Sequence, residues 1–424
     1  MQAIVEPGTI SGTITAPPSK SIMQRACAAA LLHNGKTIIN NPGNSADDKA
    51  ALNIIQQLGA EISYTENGIL EIISTGVQPT TDINCGESGL SARLFIPIAA
   101  CTDKAVTITG SGSLLKRPMT EYLSILPELG VTIKSNNDTL PFKVTGPLQP
   151  KDITVDGSLS SQFISGLLIT FAFYATEPVT ITVDRLTSKP YIDLTLQVLE
   201  HFGKQVANKD YKAFTITPTE EETQDIFINI EGDWSAASAM LVAGAIAGDI
   251  TIEGIDRSSL QGDKAIVNIL KQAGATVEEN EYSVSILRPE MLAAFEYDAT
   301  DTPDLFPVLS VLAGVCKGES TIRGVKRLIH KESNRIVSIS DMLSALGIFH
   351  SVYEDELVIE GKEMFQYAKI DGYNDHRIVM AASIAALRSK GPVTIHGMEA
   401  VNKSYPDFFA HLSLLGASVM QNIE

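Results

Sequence analysis

Nowhere in its 424 residues does the chain hold the ~20 continuous apolar residues that a membrane-spanning helix requires. Its opening, MQAIVEPGTI, lacks both a basic start and a hydrophobic signal core, so a cytosolic location is expected and a plastid precursor is not. Bases are scarce too. Lys and Arg number 32 against 50 Asp and Glu, a formal charge of −18 that argues against non-specific nucleic-acid binding, although a local group of cations can still reverse the potential in one cleft. The four cysteines, Cys27, Cys85, Cys101 and Cys316, are scattered without metal-ligand spacing among apolar or small residues. Buried reduced thiols are expected, with no disulfide and no metal site. What is present is apolar material at 44%, enough for more than one core, in a chain whose length calls for two or three domains.

One pattern recurs six times. Its landmark is a glycine closing an amphipathic helix, in QQLGAEI, PELGVTI, EHFGKQV, KQAGATV, SALGIFH and SLLGASV. These are Gly59, Gly130, Gly203, Gly274, Gly347 and Gly416, separated by 71, 73, 71, 73 and 69 residues. A residue in the left-handed conformation ends a helix and turns the chain into the next strand, which suits glycine. Ahead of each stands an apolar strand of period two: KTIINNP, VTITGSG, VTITVDR, ITIEGID, STIRGVK and VTIHGME. Each unit is βαβαβ-like, and the class is α/β. The first helix of each unit is rich in small residues, as in SAASAMLVAGAIAG, so these helices are expected inside, with the sheets and second helices outside. The polar run TPTEEETQD suggests a boundary, giving one domain at 18–228 and another at 229–424 joined by an N-terminal strand, 1–17, that completes the last sheet.

Chemistry collects where unit loops depart from simple capping. APPSKSIMQRA puts Lys20, Ser21 and Arg25 on the first turns of a helix, where free backbone amides and two cations make an anion site; a capped helix with solvated cations is the other reading. CGESGLSAR and LLKRPMT supply Gly86, Gly89, Lys116 and Arg117, and SLSSQF with LTSKPYIDL supplies Ser160, Ser161, Gln162, Ser188 and Tyr191. Asp304 enters an apolar helix with little polar relief, so a perturbed carboxylate is expected. HKESNR groups Lys331, Glu332 and Arg335, while YNDHRIVM and VNKSYPDFF add Asp375, His376, Arg377 and Lys403; His376 reads either as a core histidine or as a functional one. Equivalent loops of a repeated fold lie on equivalent faces, so these cations are expected to converge in an interdomain cleft and bind more than one phosphate or carboxylate. Asp304 and Glu332 would be its proton-transfer groups.

In this order and over essentially the whole chain, PPSKSIMQRA, CGESGLSAR, KRPM, SLSSQF, SKPYID, PDLFP, KESNR, NDHR and KSYPDF resemble the 5-enolpyruvylshikimate-3-phosphate synthases. The resemblance implies an α/β fold of two similar domains, each of three βαβαββ units in an inside-out barrel, six repeats in all. It implies transfer of the enolpyruvyl group of phosphoenolpyruvate to the 5-hydroxyl of shikimate 3-phosphate, with release of phosphate, on the route to chorismate and the aromatic amino acids. Carried over by motif, Lys20, Ser21, Arg25, Ser160, Ser161, Gln162, Ser188, Tyr191, Asp304, Arg327 and Lys331 would hold shikimate 3-phosphate. Lys20, Gly89, Arg117, Gln162, Arg335, Arg377 and Lys403 would hold phosphoenolpyruvate. Asp304 would be the base at the hydroxyl, with Glu332 and Lys20 serving the methylene and His376 in support. No cofactor, metal, nucleic acid or membrane enters this scheme, and a cytoplasmic monomer is expected.

Three positions depart from the family's usual pattern: Glu87 for an Asn, Arg327 for an Asn and Asn334 for an Asp. They bear on substrate affinity and on glyphosate sensitivity. Two other functions fit the six repeats less closely: enolpyruvyl transfer to UDP-N-acetylglucosamine, whose loop cysteine and Lys-Asn opening are missing here, and a non-catalytic anion-binding repeat protein.

Overall fold

All six helix-closing glycines adopt the left-handed backbone, with φ of 104° at Gly59, 81° at Gly130, 68° at Gly203, 94° at Gly274, 69° at Gly347 and 102° at Gly416. An L side chain is strained there, which accounts for the residue type. At the first of them the Ala60 N–H folds back to the Ile55 carbonyl at 2.9 Å, closing the helix end. The repeat read from the sequence is therefore a repeat of backbone geometry. The computed structural model describes residues 1–158, 160–219 and 223–422.

Contacts divide the chain into two compact units: a first, Pro18–Ile230, and a second, Met1–Pro17 with Glu231 and the chain beyond it. The first holds α1 (Lys20–Leu32), α2 (Ala46–Gln57), α3 (Gly89–Ala99), α4 (Thr120–Glu128), α5 (Ser161–Tyr174) and α6 (Lys189–His201). The second holds α7 (Trp234–Ala247), α8 (Ile266–Gln272), α9 (Phe306–Val315), α10 (Arg335–Ala345), α11 (His376–Ala386) and α12 (Phe408–Leu414). Every residue of α3, and every residue of α7 except Ser235, is buried. Helices apolar on all sides belong inside, and α1, α3 and α5 pack on one another in the first unit as α7, α9 and α11 do in the second. Their many Ala, Gly and Ser residues permit that close approach. The second helices keep one wet face: α2 buries Ala51, Leu52, Ile54 and Ile55 and leaves Asn53, Gln56 and Gln57 exposed.

Among the described residues the strands form six four-stranded sheets, three to a unit. In the sheet of Asp82–Asn84, the leading strand runs parallel to Ala105–Thr109, which pairs antiparallel with Thr139–Thr145, itself antiparallel to Thr132–Asn136. The other five repeat this order.

Two details differ from the sequence expectation. The N-terminal segment is two strands, not one: Gln2–Val5 lies between Val393–His396 and Val419–Asn422 in the last sheet, while Ile10–Thr15 runs parallel to Gly248–Glu253 in another sheet of the same unit. The matching strand of the first unit comes from Ile226–Asn229, parallel to Gly35–Asn40. The domain boundary falls after Ile230 instead of after residue 228, because Asn229 still pairs with Asn40 and the Ile230 N–H donates to the Asn40 carbonyl at 3.1 Å.

Candidate active site

In the first unit the functional loops sit at helix starts. Lys20 opens α1, and its Nζ lies 2.8 Å from Asp47 Oδ2 in the first turn of α2. That turn is held by a capping box between Ser45 and Asp48. Burial pushes the Asp48 carboxyl up to about 6, with the Ser45 hydrogen bond and the charge of Lys20 opposing. Asp47, which the sequence reading missed, is the counter-ion that fixes Lys20. Its only signal was the acidic pair behind a serine cap.

One turn along α1, Arg25 is almost wholly enclosed. It donates from Nε to Thr195 Oγ1 at 2.8 Å, from Nη1 to the Ser21 carbonyl at 2.7 Å, and from Nη2 to the Tyr191 carbonyl at 3.1 Å and Ser165 Oγ at 3.4 Å. These partners are neutral oxygens, and burial lowers the guanidinium to about 10. Arg25 thus ties α1 to α5 and α6 and places positive charge beneath Ser21 and Tyr191. Ser160 caps α5, its Oγ accepting from the Gln162 N–H at 3.2 Å, and Ser161 is buried beside it. Ser188 takes a left-handed conformation, φ 57°, just ahead of α6, where its carbonyl accepts from the Tyr191 N–H at 3.1 Å.

Gly89 and Arg117 meet directly. A Cβ on Gly89 would stand 2.7 Å from Arg117 Cζ, so the guanidinium rests on the bare start of α3. Arg93, also missed, gathers the same corner: it donates to the Gly89 carbonyl at 3.2 Å, Gln162 Oε1 at 3.3 Å and the Pro118 carbonyl at 3.3 Å. Glu87 turns its carboxylate to the neighbouring short 3-10 turn, accepting from the Ser113 N–H at 3.2 Å.

In the second unit Arg335 organises the site. Completely buried at the start of α10, it donates to Asp304 Oδ1 at 2.6 Å, Glu332 Oε2 at 2.7 Å, and Asp375 Oδ2 and Oδ1 at 2.8 and 3.2 Å. Arg377 reaches the other Asp304 oxygen at 3.1 Å, and Lys331 Nζ stands 3.7 Å from the first. Burial alone would raise the Asp304 carboxyl, but Arg377, Lys331 and Arg335 together hold it well below the ordinary range. Burial lowers the Lys331 ammonium to about 8, Asp304 partly restoring it and Arg335 opposing. The HKESNR ion pair runs from Glu332 to Arg335, three residues apart.

His376 is buried beside Asp375, Nδ1 to Oδ1 4.0 Å. Lys403 Nζ donates to the Asn374 carbonyl at 2.7 Å, fastening the last loop to the one before α11. Arg327 lies within a short 3-10 turn, Val325–Leu328, its charge felt by Asp301 and Asp304. Asp263 was missed: it accepts from Ser235, and burial pushes it up to about 6, with Arg377 opposing and Asp304 reinforcing. Asp304, Glu332, Arg335 and Arg377 are thus brought together, whereas Cys27, Cys85 and Cys316 are buried thiols and Cys101 only half-buried. Among the described residues no His, Cys, Asp and Glu group suits a metal ion, and no helix is long and apolar enough to cross a membrane.

The sequence profile described as EPSP synthase (3-phosphoshikimate 1-carboxyvinyltransferase) matches residues 4–412. A 3-phosphoshikimate 1-carboxyvinyltransferase of Clostridium novyi is 36% identical over 425 aligned positions, covering 97% of either chain. One of Methanocorpusculum labreanum is 34% identical, covering 99% of this chain and 100% of that one. A solved EPSP synthase from Acinetobacter baumannii superposes with a TM-score of 0.83 at 28% identity, covering 99% of this chain and 100% of the other. With the profile spanning nearly its whole length, the chain belongs to the EPSP synthase (3-phosphoshikimate 1-carboxyvinyltransferase) family.

Proposed function

We propose that the loops at the starts of α1, α3, α5 and α6, together with those around Asp304, Arg335 and Arg377, are the working parts of enolpyruvyl transfer from phosphoenolpyruvate to the 5-hydroxyl of shikimate 3-phosphate. The reaction is that of the family, a transferase step of the shikimate pathway. The observation that carries the assignment of roles is the grip of Arg335, Arg377 and Lys331 on one carboxylate, Asp304.

Addition delivers a proton to the methylene of phosphoenolpyruvate and removes one from the attacking hydroxyl, forming the new C–O bond. Elimination returns the methylene proton and expels inorganic phosphate. Asp304 takes the hydroxyl proton. Ringed by three cations it is a weak base, but an anionic substrate that draws on Arg335 and Arg377 lowers the positive charge at Asp304 and raises its proton affinity. Glu332 and Lys20 serve the methylene, and His376 supports them from beside Asp375. Arg117 over Gly89, with Gln162, Arg335, Arg377 and Lys403, takes the phosphate and carboxylate of phosphoenolpyruvate. Arg25, Ser21, Ser160, Ser161, Ser188, Tyr191, Arg327 and Lys331 take shikimate 3-phosphate. The protein works as a monomer in the cytoplasm on these two small molecules.

Phosphate release from phosphoenolpyruvate tests the reading. Release is expected with shikimate 3-phosphate and not with UDP-N-acetylglucosamine. Release with neither acceptor leaves only an anion-binding protein. Lys20→Ala is expected to abolish release while keeping the wild-type denaturation midpoint, and a Lys20→Ala protein with full turnover removes Lys20 from the machinery.

A further inference from the structure

An open cavity of about 400 Å³ lies in the second unit, at the far ends of α7, α9 and α11; Asp304 stands just ahead of the start of α9, and Arg377 lies at the start of α11. Its wall includes Ala245 and Ile246 at the end of α7, Cys316 just past α9, and Arg388 just past α11. Four cations line it, Arg288, Lys317, Lys362 and Arg388, against the carboxylates Glu290 and Glu363. That is 4 − 2, a local excess of two positive charges in a chain whose formal charge is −18.

Cations near helix ends offset the macrodipole, and this accounts for part of the group. Lys362 Nζ donates to the Gly347 carbonyl at 2.5 Å, and Arg388 Nη2 to the Glu363 carbonyl at 3.0 Å. It does not account for the rest. Arg388 Nε is buried without a hydrogen-bond partner among the described residues, so its N–H is desolvated with nothing in exchange. Burial and then the charge of Arg288 lower the Arg388 guanidinium, with the Glu363 carboxylate opposing, so the net effect of its surroundings still disfavours the cation. Between the cations the wall is apolar, with Ile246, Met291 and Val315, which suits a ring or short hydrocarbon body.

The cavity does not follow from the repeat itself. At the corresponding helix end of the first unit, Tyr174 hydrogen-bonds Cys101, and Phe173 packs edge-to-face on Phe202 at 6.2 Å. Aromatic bulk fills that end, with Lys204 Nζ standing 4.6 Å over the Phe173 ring.

We propose that this cavity binds a small organic anion, a phosphate or carboxylate group carried on an apolar ring or chain, at a site separate from the residues of the transfer reaction. Methionine methyl resonances of the full-length protein test it. Met291 lines the cavity, while Met380 lies in a small pocket with Asp304 and Arg377 and reports on the other site. Met291→Leu assigns the first signal. Titration with phenyl phosphate, or with benzoate, is expected to shift the Met291 resonance saturably. The double variant Lys317→Gln/Arg388→Gln is expected to weaken that response by roughly tenfold or more, ~1.4 kcal/mol, leaving the Met380 response and turnover unchanged. A response to phenyl phosphate alone identifies the phosphate as the recognised group, and a response to benzoate alone the carboxylate. No saturable shift with either compound, or an equal shift in the double variant, overturns the proposal. Lys317→Gln alone, on an exposed side chain, gives the same comparison if the double variant does not fold.

Discussion

Arg335 and Asp304 are joined by a hydrogen bond of 2.6 Å between Nη1 and Oδ1, and each is also the meeting point of other charges. Arg335 serves two further carboxylates, Glu332 and Asp375, and Asp304 two further cations, Arg377 and Lys331. Three positive and three negative side chains form one network with little solvent access, so none can be changed without altering the electrostatics of the rest.

Asp304→Asn keeps the shape of the side chain and removes the proposed base. Loss of general base catalysis is expected to lower kcat by roughly 10²- to 10⁴-fold while shikimate 3-phosphate still binds. Steady-state kinetics with a separate binding titration distinguish the two effects. A variant with full turnover would falsify the assignment of Asp304 as base.

Arg335→Met leaves three carboxylates without their shared cation. Breaking a buried ionic network from one side costs about 3–5 kcal/mol, so a large fall in the urea midpoint is expected along with loss of activity. An unchanged midpoint would mean that the carboxylates find other partners.

The pH dependence of Lys331 has a definite sign. Its folded-state value, about 8, lies below the ordinary 10.5, so the unfolded chain holds the proton longer and stability from this group rises as pH climbs from about 8 to 10.5. Under the proposed assignment of Lys331 to shikimate 3-phosphate, substrate capture runs the other way, because there the cation is the binding group. The kcat/KM for shikimate 3-phosphate is expected to fall above about pH 8. Lys331→Arg should carry the plateau to higher pH, since guanidinium stays charged. Identical profiles for the two proteins would remove Lys331 from that limb.

Gly89→Ala sets a methyl group where Arg117 now lies, with Cβ 2.7 Å from Cζ. The guanidinium must shift, and the KM for phosphoenolpyruvate is expected to rise by roughly tenfold or more, ~1.4 kcal/mol, with binding of shikimate 3-phosphate little changed. An unaltered KM would show that Arg117 does not hold phosphoenolpyruvate.

The six-fold repeat was legible in the sequence because its marks are local. A left-handed helix end demands glycine, a half-buried strand alternates, and a helix enclosed on all sides uses small apolar residues; each requirement acts within a few residues of chain. The motifs at the helix starts were legible for the same reason. Partnerships between distant residues were not. Nothing near Lys20 in sequence announces Asp47, and nothing near Asp304 announces Arg335 or Arg377, because those pairs are set by which helix starts the packing brings together. Likewise, Ile10–Thr15 and Ile226–Asn229 each stand ahead of a small-residue helix, yet each pairs with a strand far away in the chain, Gly248–Glu253 and Gly35–Asn40. The sequence alone determined the repeated unit and the chemistry available at its loops. Only the tertiary structure decided which charges neutralise one another, because Coulomb and hydrogen-bond energies depend on distances that chain order does not contain.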